Sequence, residues 1–200
     1  MMLDSKTALG EKLAARVRDL RAARALSLDA LSAASGVSRS MISLVERGEA
    51  SPTAVVLEKL AIGLGVTLAS LFEAAPDQTN ATNGPVSRRT DQVEWQDPAS
   101  GYRRRNVSPS NGAQPVQIVD VHFPAGARVT FDTSLLSVKA SQHVWILDGE
   151  MSITVGPDEY RLREGDCLWM SLDIPRVFHN PTRRPARYTV VLHTEHTPRR

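Results

Sequence analysis

Apolar residues recur at helical spacing through the first third of the chain and at alternating positions through its second half. Leu13, Val17 and Leu20 predict a helix from about Gly10 to Arg24, after a frayed start over residues 1–9. Leu28, Leu31 and Ser35, with Ala34 beside them, form the stripe of a second, short helix. Ser27 stands at its N-cap position, where a hydroxyl satisfies a free amide, and Gly36 ends it where positive φ is wanted. Val37 reads as a buried plug. Ser38 then caps a third helix that turns Met41 or Ile42, together with Val45, inward and closes at Gly48. Pro52 and Thr53 start a fourth helix, Val55–Leu64, with Val56, Leu57 and Leu60 inward, and Leu68–Phe72 makes a short fifth. Residues 10–73 are thus expected to fold as a five-helix bundle of a size that stands alone.

The pattern lapses over Ala74–Pro85, rich in turn formers and small polar residues, which is expected to be a linker holding two domains at high mutual concentration. Beyond it, over residues 86–200, the period changes to two. Val116–Phe123, Ala127–Phe131, His143–Leu147, Met151–Val155, Glu159–Leu162, Cys167–Met170, Val177–His179 and Arg187–His193 are strand candidates, separated by turn signals such as Asp148-Gly149 and Gly156-Pro157-Asp158. Many short strands at near-regular spacing predict a β-sandwich or closed barrel.

Composition narrows the function classes. The chain has 200 residues and a net charge of +2, with ordinary apolar and charged fractions, which speaks against global disorder. No apolar run approaches the ~20 residues needed to span a bilayer, the N-terminus lacks a signal-peptide pattern, and the single cysteine, Cys167, provides no disulfide framework. A cytoplasmic protein without a membrane partner is expected. Residues 1–73 hold nine Lys/Arg against eight Asp/Glu, so a case for nucleic acid must rest on where particular arginines point.

The third helix makes that case. Its open face carries Ser38, Arg39, Ser40, Ser43 and Arg47, with Leu44 among them. Small hydroxyls and two arginines suit a helix that enters a groove and reaches base edges and phosphates. The plainer alternative is an ordinary αα-hairpin. The run Leu31-Ser32, Gly36-Val37-Ser38, Ile42-Ser43, Glu46-Arg47-Gly48, followed by Ser51-Pro52-Thr53 and the next helix, resembles the lambda-repressor-like, Xre-type helix-turn-helix family. Two positions depart from that pattern: Ser32 stands where the family usually has Ala, and Leu28 where it commonly has a phosphate-touching Gln. The resemblance implies a compact helical DNA reader that binds duplex DNA as a dimer at an inverted repeat. Around it, Lys12, Arg16, Arg18, Arg21 and Arg24 line the first helix, as phosphate contacts or as a solvated basic face.

Residues 110–195 resemble a cupin, a double-stranded β-helix or jelly-roll barrel. The resemblance rests on the turns and spacing from Gly126 to Gly149 and on Gly165-Asp166, Pro175 and Asn180. It puts Asp132, Ser134, Gln142 and Arg176 where metal-bearing cupins carry their ligands. A neutral amide and a hydroxyl are poor ligands, and a guanidinium repels a divalent ion, so no metal and no cofactor is expected. His122, His143, His179, His193 and His196 form no recognised chelate spacing, although His179 and His193 would approach each other on adjacent strands. Cys167, with no basic neighbour in sequence, reads as core.

An arginine, an acid, an amide and a hydroxyl at a barrel mouth, with Val144, Ile146 and Trp145 or Trp169 nearby, make a pocket for a small, anionic effector anchored by Arg176. The fold expected is therefore α + β and multidomain, a five-helix lambda-repressor-like bundle followed by a cupin barrel. The function expected is a non-enzymatic, effector-responsive, homodimeric transcription regulator. Two alternatives stand beside it: a metal-dependent cupin enzyme (isomerase or dioxygenase) fused to a DNA-binding domain, and a structural DNA-binding dimer without effector.

Overall fold

In the computed structural model the described residues are 3–72, 84–109, 114–132 and 139–195, with side chains given from Leu9 onward. The chain divides into two compact units, Met1–Asn83 and Gly84–Arg200. Most of the expected linker, like Ser134 and His196, lies outside the described residues; Gly84 and Pro85 belong to the second unit.

The first unit holds α1 (Leu3–Ala23), α2 (Leu28–Ser35), α3 (Arg39–Glu46) and α4 (Ala54–Gly63), then a 3-10 turn, Ala69–Phe72, in place of a fifth α-helix. α1 begins well before the expected Gly10. Nothing from Leu3 to Leu9 breaks a helix, and a single internal glycine is tolerated. Leu13, Val17, Leu31, Val37, Ile42, Val45, Leu57 and Leu60 form the core; the choice between Met41 and Ile42 falls to Ile42. The Ser27 hydroxyl accepts from the Ala30 amide at 3.0 Å, and Gly36 takes φ +67 at the C-terminus of α2. α2 and α4 approach so closely that a Cβ on Gly63 would sit 2.8 Å from the Ser35 Cβ and 3.0 Å from the Ser35 nitrogen, so a side chain there must push the helices apart.

The second unit is a two-sheet jelly roll of cupin type. Its strands are β1 (Glu94–Gln96), β2 (Arg103–Asn106), β3 (Val116–Phe123), β4 (Arg128–Phe131), β5 (Ala140–Asp148), β6 (Glu150–Val155), β7 (Asp158–Arg163), β8 (Cys167–Ser171), β9 (Arg176–His179) and β10 (Ala186–Thr194). A six-stranded sheet runs β1-β2-β3-β10-β5-β8 and a four-stranded one β4-β9-β6-β7, with every strand pairing among the described residues antiparallel. Asp148-Gly149 makes the β5–β6 connection, with Gly149 at φ +82, where a Cβ would sit 3.0 Å from the Pro185 carbonyl oxygen and the Ala186 Cα.

The pleat sends Val119, Val121, Phe123, Val144, Ile146, Met170, Tyr188 and Leu192 of the larger sheet inward to meet Val129, Phe131, Met151, Ile153, Leu162 and Phe178 of the smaller one. A chain of ring contacts crosses this core: Trp95 to Tyr102, Tyr102 to Phe123, Phe123 to Tyr188, Tyr188 to Phe178, and Phe178 to Phe131, with centroids 5.6–6.2 Å apart.

β1 and β2 have no counterpart among the predicted strands. Arg103-Arg104-Arg105-Asn106 shows no apolar alternation, yet Arg104 points inward and is buried, while Arg105 turns outward to a carboxylate.

Candidate DNA-reading helix and barrel interior

α3 is held by three devices. Ser38 caps its N-terminus, its hydroxyl accepting from the Met41 amide at 3.3 Å. Ile42 and Val45 anchor it in the core. Glu46, one turn on along the same stripe, is buried and receives Arg21 of α1 in a two-point bridge, Nε to Oε1 at 2.6 Å and Nη2 to Oε2 at 2.8 Å. The same guanidinium donates to the Leu26 carbonyl at 2.9 Å, tying the α1–α2 corner to α3. The hydrogen bond to Glu46 holds the Arg21 pKa above the usual arginine value despite opposing burial. Arg21 is thus a structural brace, where the basic flank of α1 suggested a phosphate contact or a solvated charge. Arg16 similarly donates to the Ser70 carbonyl at 3.2 Å. One signal for the brace exists in sequence: an acid on the inward stripe with Ile42 and Val45 needs a cation.

The opposite face of α3 keeps Ser38, Arg39 and Ser40 exposed, with Ser43 and Leu44 half-buried and Arg47 exposed just past the helix end. The Ser38 and Ser40 hydroxyls lie 3.2 Å apart. Arg39 Nε stands 3.3 Å from Asp29 of α2, both side chains largely exposed. Arg47 donates Nε and Nη2 to the two Glu49 oxygens at 2.8 Å each, and Nη1 to the Ser43 hydroxyl. This bridge holds the Glu49 carboxyl below the ordinary carboxylate range and Arg47 above the usual arginine value. Both predicted reading arginines therefore sit in exposed ion pairs, where water and salt weaken the attraction and a phosphate or base can replace the acid.

In the barrel, Arg176 begins β9 and points inward, 6% exposed. Its guanidinium lies 5.0 Å above the Phe131 ring centroid, across the β4–β9 pairing, and Nη1 reaches the Leu172 carbonyl at 3.4 Å. Gln142 is inward and buried, its amide donating to the Met170 sulfur at 3.4 Å. Asp132 is exposed just past β4. Val144 and Ile146 face the interior as expected, but Trp145 and Trp169 stand on the outer face, 49% and 59% exposed. Cys167 is exposed on that outer face too, opposite Trp145; the parity that buries Met170 turns it outward, so it is not a core residue. His179 and His193 belong to different sheets and are not on adjacent strands.

The metal-bearing version of this fold does not fit these residues. A guanidinium over an aromatic ring and an amide turned to a thioether occupy positions that the cupin resemblance gives to metal ligands; the first repels a divalent ion and the second is a poor ligand for it. Deep burial raises the Tyr188 phenol well above its ordinary pKa, so it remains neutral.

A third group was not visible in the sequence. Asp120 of β3, buried, receives Arg105 of β2 and Arg187 of β10, the latter through Nε to Oδ1 at 2.9 Å and Nη2 to Oδ2 at 3.4 Å. Burial alone would push this carboxyl up, but the hydrogen bonds from Arg187 and Arg105 outweigh it and hold the pKa below the usual value. Its members come from three strands 15 and 67 residues apart in the chain, so only the sheet register brings them together.

Comparison with known proteins agrees with both units. Residues 17–71 match the helix-turn-helix family profile. The chain is 23% identical to the HTH-type transcriptional regulator SutR of Escherichia coli K12 over 188 residues, spanning 92% of this chain and 96% of that protein. It is 24% identical to the regulator PuuR of the same organism over 167 residues, spanning 82% and 85%. The crystal structure of an HTH_3-family transcriptional regulator from Vibrio cholerae superposes with a TM-score of 0.75 at 22% identity, covering 97% of this chain and 99% of that one. Residues 17–71, in which α2, the turn and α3 lie, thus match the helix-turn-helix family model, and the chain carries them together with a cupin-type barrel.

Proposed function

We propose that this chain regulates transcription: its helix-turn-helix unit reads duplex DNA through α3, and its barrel takes a small anionic effector without catalysing a reaction on it. The observation that carries the reading is α3 itself, a helix braced from behind by Arg21–Glu46 whose open face offers hydroxyls and two arginines in exposed, exchangeable ion pairs. Ser38, Arg39, Ser40, Ser43, Leu44 and Arg47 are the proposed contacts. Two copies on a two-fold axis would read an inverted repeat with half-sites about one helical turn, ~34 Å, apart or a multiple of it. Selection of bound duplexes from a random pool by the purified protein tests this. The expected result is an inverted repeat; a pool without enriched sequence contradicts it.

Arg176 supports the effector part. A buried guanidinium on an aromatic ring offers planar, two-point recognition of a carboxylate, sulfate or similar anion, with Gln142 as the second polar group. Asp132 and Ser134 complete the set proposed from spacing. A thermal-shift screen of small organic and inorganic anions on the wild type, Arg176→Lys and Arg176→Ala tests it. Hits that stabilise all three equally would remove Arg176 from the site. The non-enzymatic reading, in a cytoplasmic protein, has its own check. About one iron, manganese, nickel or zinc per chain, by elemental analysis of the purified protein, would restore the enzyme alternative.

A further inference from the structure

The two arginines on the open face of α3 are engaged unequally. Arg47 uses Nε and Nη2 on the Glu49 carboxylate and Nη1 on the Ser43 hydroxyl, so every side of its guanidinium is occupied. Arg39 meets the Asp29 carboxylate through Nε alone, at 3.3 Å, and among the described residues no protein group takes its Nη1 or Nη2. Position separates the pair as well. Arg39 is the first residue of α3 and Arg47 follows its last, ~12 Å further along the axis. A reading helix presents its N-terminal residues to base edges, so Arg39 is the one placed to meet a base. Asp29 is the odd residue of this surface. From Ser27 to Gly48 the chain carries two acids. Glu46 is buried beneath Arg21, whereas Asp29 lies in the first turn of α2 with its side chain 76% exposed. The first helix of such a pair crosses the DNA backbone, and a carboxylate exposed there repels the phosphates.

We infer that Asp29 is a specificity-determining residue: it holds Arg39 by Nε and leaves the two Nη groups as a fork for the O6 and N7 of one guanine in each half-site. In the major groove guanine presents two acceptors side by side, while adenine pairs an acceptor with a donor, thymine offers one acceptor and cytosine a donor. Two parallel N–H donors match the guanine edge alone. Guanine therefore meets the fork with Asp29 still at Nε. A phosphate takes Arg39 in competition with Asp29 and leaves that carboxylate uncompensated beside the backbone. The acid thus penalises every register in which Arg39 finds no guanine, which is the repulsive element that discrimination between sites calls for. The two side chains stand on different helices, and their relative placement is fixed from below by the turn at Gly36 and by buried Leu31, Val37 and Ile42. An acid in a first turn also favours its own helix, but α2 already has the Ser27 cap, and that role is blind to base sequence. The inference rests on the proposal that α3 reads duplex DNA and adds to it the base Arg39 selects and the residue that aims it.

The experiment is selection from a random duplex pool, sequenced to give the relative affinity for each base at each position, with the full chain as wild type, Asp29→Ala, Arg39→Ala and the double variant. Melting temperatures and anisotropy titrations of a duplex of unselected sequence accompany it. Wild type should enrich a repeat in which one guanine per half-site is preferred by roughly five- to a hundredfold, and Arg39→Ala should lose that preference. Asp29→Ala should keep the melting temperature, bind the unselected duplex several-fold more tightly, and lower the guanine preference at that position several-fold while other positions keep theirs. In the Arg39→Ala background the same substitution should leave every base preference unchanged. A guanine preference untouched by Asp29→Ala, with tighter binding to every duplex, makes Asp29 a plain repulsive charge and overturns the inference. A base preference that Asp29→Ala changes equally with and without Arg39 makes Asp29 a reader in its own right and also overturns it. Both of these results leave DNA reading through α3 standing. A wild-type pool with no enriched sequence overturns that proposal and the inference together.

Discussion

Arg39 and Arg47 of the helical unit and Arg105 and Arg187 of the barrel are engaged in opposite ways. Arg39 and Arg47 hold acids that are themselves more than half exposed, whereas Arg105 and Arg187 close on a carboxylate that is 5% exposed. Exposed pairs sit in high dielectric and are easily traded, while a buried pair is costly to break because the group left behind has lost its water. Arginines that exchange partners are suited to a ligand that comes and goes, such as a phosphate backbone. Arginines that cannot are fixtures of the fold. Arg21 shows that the division follows burial and not domain, for it lies in the helical unit and yet holds a buried Glu46.

Removing the buried acids should have the largest effects. Asp120→Ala leaves Arg105 buried against nothing and is expected to cost about 3–5 kcal/mol of barrel stability; chemical denaturation measures it, and a loss under ~1 kcal/mol would erase the contrast. Glu46→Ala should cost somewhat less, about 2–4 kcal/mol, because Arg21 keeps some contact with solvent and the Leu26 carbonyl. It should also weaken DNA binding by tilting α3. The same contrast has a pH signature. Asp120 binds its proton less readily folded than unfolded, so its stabilisation is complete above the ordinary carboxylate pKa of about 4 and is lost as pH falls through the lower folded value. Acid titration of the melting temperature should therefore fall more steeply below about pH 4 for wild type than for Asp120→Asn. The smallest effect is expected at Glu49. Glu49→Gln frees Arg47 and should raise affinity for any duplex a few-fold without changing the melting temperature.

How far the sequence discloses this molecule depends on the range of the interaction. α2, the turn and α3 are legible because Ser27, Gly36 and Ser38 act within three or four residues of themselves, and each does what its position implies. The strands with clean alternation, β3 to β10, are legible for the same reason. β1 and β2 are not, because their residues are justified only by partners on β3 and in the core. The outward placement of Trp145, Trp169 and Cys167 follows from register parity, which a shift of one residue would invert. The Arg21–Glu46 brace and the Asp120 cluster required knowing which elements meet. Asp132 of the proposed set, by contrast, rests on motif spacing alone, and it is exposed where Arg176 and Gln142 are buried.

The central claim is that α3 reads DNA through arginines it can release. It is tested most directly by titrating a duplex carrying the selected inverted repeat with wild type, Arg39→Ala and Arg47→Ala, and following fluorescence anisotropy at two salt concentrations. Each variant should keep the wild-type melting temperature, lose at least several-fold in affinity for the repeat, and show a shallower dependence on salt for every phosphate contact removed. Affinity unchanged in both variants, at both salt concentrations, would contradict the account.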